Sequence, residues 1–104
     1  MKTFIEEITS ACASFYHIYF LPVSNYDNKK DNIIATCFKM QYSGDNIYLL
    51  IKESTLSGEF ELHLYNGDSI IFVQKGNKKE HGIPDLSSNV CNKIIPILKQ
   101  KDSF

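Results

Sequence analysis

The chain has 104 residues, 43% of them hydrophobic and 22% charged, with 11 positive side chains against 12 negative. Such a length and composition predict one soluble globular domain over 1–104, with about 5,950 Å² of folded surface against about 17,250 Å² unfolded: enough burial for one core, with little room for a deep cofactor cavity as well. No apolar run approaches the roughly 20 residues of a membrane span, and Glu6, Glu7, Thr9 and Ser10 interrupt any signal-peptide stretch, so the expectation is a cytoplasmic protein with no membrane partner.

Thr3-Phe4-Ile5-Glu6 reads as a capping box, whose hydroxyl and carboxylate satisfy the first turn of a helix. Ile5, Ile8, Cys12, Phe15 and Tyr19 then recur at helical spacing, and Pro22 forbids continuation much beyond Phe20. Residues 16–20 are aromatic and β-branched, so the helix either reaches them or stops near Ser14 and hands over to a strand ending at Val23. Residues 24–31 lack periodicity and hold several turn formers, which predicts an exposed loop.

From Ile33 the period becomes two, and four runs of strand length follow at 32–42, 46–53, 58–65 and 68–75. Ser43-Gly44-Asp45, Ser54 to Gly58 and Asn66-Gly67 supply turns, and connections this short make the pairings antiparallel. After a polar stretch, Asp85 or Ser87 can cap a closing helix with Leu86, Val90, Ile94, Ile97 and Leu98 on one stripe. Pro96 frees the carbonyl of Asn92, so the last turn should kink or end. The fold expected is therefore α+β: a four-stranded antiparallel meander flanked by an N-terminal and a C-terminal helix.

A two-residue loop at Asn66-Gly67 would pair Tyr65 with Asp68, His63 with Ile70 and Glu61 with Phe72, leaving Leu62, Ile71, Phe60 and Val73 on the core face. The other face mixes Glu59, Glu61, His63 and Tyr65 with Ile70 and Phe72. An apolar and aromatic centre rimmed by acids suits a protein interface, or equally the margin of a covering helix. These six residues, with Asp45 and Asp68, are the candidate partner-binding set.

Other chemistries find less support. All eleven basic residues are lysines and the net charge is −1, so nucleic acid would meet neither a guanidinium fork nor a basic surplus. Cys12, Cys37 and Cys91 are too scattered for a zinc site or disulfide framework, and buried thiols are expected. The glycines stand singly in turns, leaving no phosphate-cradling loop, and neither a cofactor nor a metal is expected. Glu61 and His63 could neighbour each other on one strand face, which is the only opening for a small hydrolase.

As a whole, the chain resembles the small single-domain immunity proteins of bacterial toxin systems, particularly those of contact-dependent growth inhibition. The resemblance rests on length, on the helix-meander-helix order, on the missing catalytic signature and on Asp45, Glu59, Glu61, Tyr65 and Asp68. It implies a role and transfers no residue: a monomeric protein, not an enzyme, that binds its cognate toxin domain one to one and blocks the active site, often that of a nuclease. A secretion chaperone, which combines helices with a small antiparallel sheet and would dimerise around an extended segment, is the alternative.

Overall fold

The computed structural model describes residues 2–41 and 46–102, without the side chains of 101 and 102. Helix α1 spans Phe4–Tyr16 and opens as its sequence requires: the Thr3 hydroxyl accepts the Glu6 N–H and donates to the Glu6 carboxylate, both at 3.2 Å. His17 closes it in the left-handed region at φ 55°, with its N–H on the Ala13 carbonyl and that of Ile18 on Cys12. That stop takes Tyr19 off the helix and out of the expected apolar stripe. Ile5, Ile8, Ala11 and Cys12 are buried, whereas Phe15 is 68% exposed.

Five strands follow, one more than expected: β1 Phe20–Asn28, β2 Ile33–Met40, β3 Ile47–Ser54, β4 Glu59–Asn66 and β5 Ser69–Asn77. They form one antiparallel sheet in the order β1-β2-β3-β4-β5. Most of the segment expected to be a loop is the second half of β1. It is held by its ladder to β2, with Val23 bulged out between Pro22 and Ser24, and residues 21–27 are exposed on both sides. A strand stabilised by backbone pairing, with no buried face, shows no alternation of apolar residues.

Helix α2, Ile83–Asp102, closes the chain and continues through Pro96. Pro96 and Asn92 both lie on the exposed side, so the carbonyl freed by the proline meets water and the helix need not end there. The two helices pack on each other and on one face of the sheet. Phe38 and Met40 of β2, Ile47, Leu49 and Ile51 of β3, and Phe60, Leu62 and Leu64 of β4 meet Ile5, Ile8, Cys12, Leu86, Val90 and Ile94 in one core. Each fully buried aliphatic side chain there contributes roughly 1.5–3 kcal/mol relative to exposure. Both helices lie on this side, so among the described residues no element covers the opposite face of the sheet.

Candidate functional site

The alternation that sends Ile47, Leu49 and Ile51 inward sends Tyr48, Leu50 and Lys52 outward, and the register carries that face across the strands. Three outer rows follow. Leu21, Lys39, Tyr48, Tyr65 and Ile70 form the first; Ser24, Cys37, Leu50, His63 and Val73 the second; Tyr26, Ala35, Lys52, Glu61 and Lys75 the third. Four of these apolar or aromatic side chains are strongly exposed: Leu21 49%, Tyr26 56%, Ile70 57% and Val73 43%.

The last hairpin differs from expectation. Its loop is Gly67-Asp68, with Gly67 at φ 62°, and Asn66 pairs with Ser69. Asn66 remains in β4 because it also pairs with Ile47, and the Gly67 N–H extends that ladder to the Asn46 carbonyl at 2.7 Å. A bulge between Leu64 and Tyr65 then shifts the register again, and Ile71 and its neighbour Phe72 both pack against the core. Glu61 consequently faces Lys75, and His63 faces Val73.

Of the candidate residues, Glu59, Glu61, His63, Tyr65 and Ile70 share the outer face. Phe72 does not: it pairs with Leu64 on the helix side, and the Lys93 ammonium sits 5.9 Å from its ring. Asp68 occupies the exposed turn, and Asp45, with the turn assigned to residues 43–45, lies outside the described residues.

Glu61 is the electrostatic centre of the face. Its Oε1 lies 3.0 Å from Nε2 of His63 and 3.8 Å from Nζ of Lys75, and its Oε2 is 3.8 Å from Nζ of Lys52. The His63 hydrogen bond, aided by the two lysines, holds the Glu61 carboxyl below its ordinary range against an opposing push from burial. The His63 ring stacks on Tyr65, with centroids 6.4 Å apart and planes 12° from parallel. The patch is therefore a preorganised polar knot inside an aromatic and aliphatic field, with His63, Lys52 and Lys75 gathered on the Glu61 carboxylate. A hollow of about 500 Å³ opens beside it, lined among others by Ile33, Lys52, Ser54, Glu59 and Lys75.

Glu61 and His63 are neighbours, as the two-residue spacing anticipates. Among the described residues, His63 hydrogen-bonds to Glu61 and to no hydroxyl or thiol that could serve as its nucleophile. His81 packs edge-on against Phe60 at 5.4 Å, and His17 is the αL cap of α1. Cys12 and Cys91 are fully buried and share a hydrogen bond, which together with burial raises the Cys12 thiol far above its ordinary range. Cys37, expected to be buried, is half-buried on the outer face. The described residues contain no cluster of three or more His, Cys, Asp or Glu that could hold a metal ion, and no helix long and apolar enough to cross a membrane.

Sequence reasoning that began from the last hairpin missed Tyr48, Leu50, Lys52, Val73 and Lys75. The first three were legible as the complement of Ile47, Leu49 and Ile51; the last two required the true register. Comparison with known proteins finds no matching family model, curated protein or solved structure.

Proposed function

We propose that this protein is a binding module whose bare sheet face docks a partner protein, and that the partner is a bacterial toxin domain neutralised one to one in the cytoplasm. The observation supporting this reading is the outer face itself: Leu21, Ile70 and Val73 stand exposed around the half-buried Tyr48, Leu50 and Tyr65 on two adjoining rows. A contiguous apolar and aromatic patch on a rigid sheet, with polar groups at defined points, is the composition of an interface core. Rigid aromatic anchors suit recognition because they surrender little side-chain entropy on docking.

The charge arrangement refines the mode of binding. Phosphate mimicry would require free carboxylates at the centre, whereas Glu61 is engaged by His63, Lys52 and Lys75. Docking on this face is accordingly driven by apolar burial, with the polar knot setting register. A hydrolase built on Glu61 and His63 is disfavoured by the hydrogen bonding of His63, which reaches no nucleophile among the described residues.

Co-expression with the protein encoded immediately upstream tests the role. That protein should be toxic alone and harmless beside this chain, the two co-purifying at equimolar ratio; unrelieved toxicity rejects the immunity role.

A further inference from the structure

A second hollow, of about 360 Å³, lies on the helix side where the sheet outruns α1, between the first turn of α1 and strands β1 and β2. Its floor is apolar: Ile5, Pro22, Ile34 and Phe38. The charged side chains lining it are Glu6 and Asp27, both acidic and both exposed. This is the inverse of the Glu61 patch, where lysines hold the carboxylate. Among the described residues, no lysine or histidine pairs with Glu6 or Asp27; the four ion pairs are made by Glu61 and Glu53. Glu6 accepts the Thr3 hydroxyl through Oε1, and the Asp27 carboxylate has no hydrogen bond among the described residues.

We infer that this hollow receives a basic side chain of the partner protein, its aliphatic stem lying on Ile5, Pro22, Ile34 and Phe38 and its cation between Glu6 and Asp27. Two features argue for that occupant. Long basic side chains are amphipathic, so an apolar floor with a charged mouth matches both halves. Two carboxylates with no cation of their own leave a local negative field that a cation can neutralise, and such complementarity governs encounter rate and orientation more than raw affinity. The inference deepens the protein-binding reading and rests on it for the identity of the ligand.

The test is an NMR titration of the ¹⁵N-labelled full chain with N-acetyl-arginine amide, with the uncharged N-acetyl-citrulline amide as control. Saturable shifts at the amides of Thr3, Glu6, Asn25, Asp27 and Thr36 are expected from the arginine probe only, and binding at least fivefold weaker in Glu6→Gln/Asp27→Asn. Glutamine retains the capping-box geometry, and unchanged shift dispersion and melting would show that the double variant is folded. Equal shifts from both probes, or an unchanged constant in the double variant, would overturn the inference. Arginine binding together with unrelieved toxicity in the co-expression experiment would reject the immunity role and leave the pocket standing. Neutralisation without arginine binding would do the reverse.

Discussion

Glu61 and Lys75 stand directly opposite each other on β4 and β5, their charged ends 3.8 Å apart. This pairing follows from a hairpin loop at Gly67-Asp68, which shifts partners by two and keeps the faces, and from a bulge beside Leu64, which carries Phe72 to the helix side and Val73 to the bare face beside Ile70. The chemistry of the candidate site is a consequence of register: three residues of displacement replace an aromatic neighbour of the carboxylate by a cation.

The first prediction concerns thiols. Cys37 lies in the same outer row as Leu50 and His63, half-buried, whereas Cys12 and Cys91 are sealed between α1 and α2. Native protein should therefore take up one equivalent of maleimide, slowly because burial raises the Cys37 thiol, and three only when unfolded. A bound partner should suppress the native reaction. Mass spectrometry counts the adducts; undiminished labelling in the complex would place the partner elsewhere.

The second is a pH dependence. Glu61 is held below its ordinary range, so it binds fewer protons folded than unfolded near the ordinary Glu value of about 4.3. Its stabilising contribution is fully present above roughly pH 5 and is lost as the pH falls through the folded value. In urea unfolding, the free-energy gap between wild type and Glu61→Gln should be constant near neutrality and close on acidification. A gap that widens towards low pH would contradict the assigned hydrogen bond and ion pairs.

The third addresses Glu53, which the inward alternation of β3 buries to 5% exposure on the helix side. Lys78 reaches it at 3.0 Å and lies 5.4 Å from the Phe4 ring centroid, tying the segment after β5 to β3 and α1. Lys78→Ala strands a buried carboxylate and should cost about 2–3 kcal/mol, the low end for a buried pair because Lys78 is itself a third exposed. Adding Glu53→Gln should recover part of that loss. If the double variant is less stable than Lys78→Ala by the full cost of Glu53→Gln alone, the pair is uncoupled.

The fourth is steric. A Cβ on Gly76 would come within 2.7 Å of Nε2 of His81 and 3.3 Å of the Phe60 ring. Gly76→Ala should therefore destabilise by about 1–3 kcal/mol through overpacking, and His81→Ala should relieve most of it. Thermal melts of the four-member cycle decide, and additive losses would show that the two positions do not meet.

Much of this fold is written locally. Thr3 and Glu6 announce α1, the alternation at Ile47, Leu49 and Ile51 announces the inner face of β3, and Leu86, Val90 and Ile94 announce the buried stripe of α2. The misread parts depend on distant partners. Ser24 to Asn28 become strand because β2 offers a ladder, and Asn66 stays extended because β3 pairs with it, outweighing the intrinsic turn preference of Asn-Gly. The loop shift moves each partner by two and keeps the faces, so the one-residue bulge decides which side Phe72 takes. The candidate site was legible as a polar and apolar mixture on β4, while its lysines and its β3 half required the sheet.

The most direct test of the proposal is neutralisation by an outer-face variant. Ile70→Glu/Val73→Lys changes two exposed side chains and should lower the melting temperature by no more than about 4–8 °C, since exposed substitutions seldom exceed roughly 0.5 kcal/mol each. Co-expressed with the upstream protein, that variant should fail to relieve toxicity and bind at least tenfold more weakly in calorimetry. Full protection and unchanged affinity from a folded variant would contradict docking through the bare face of the sheet.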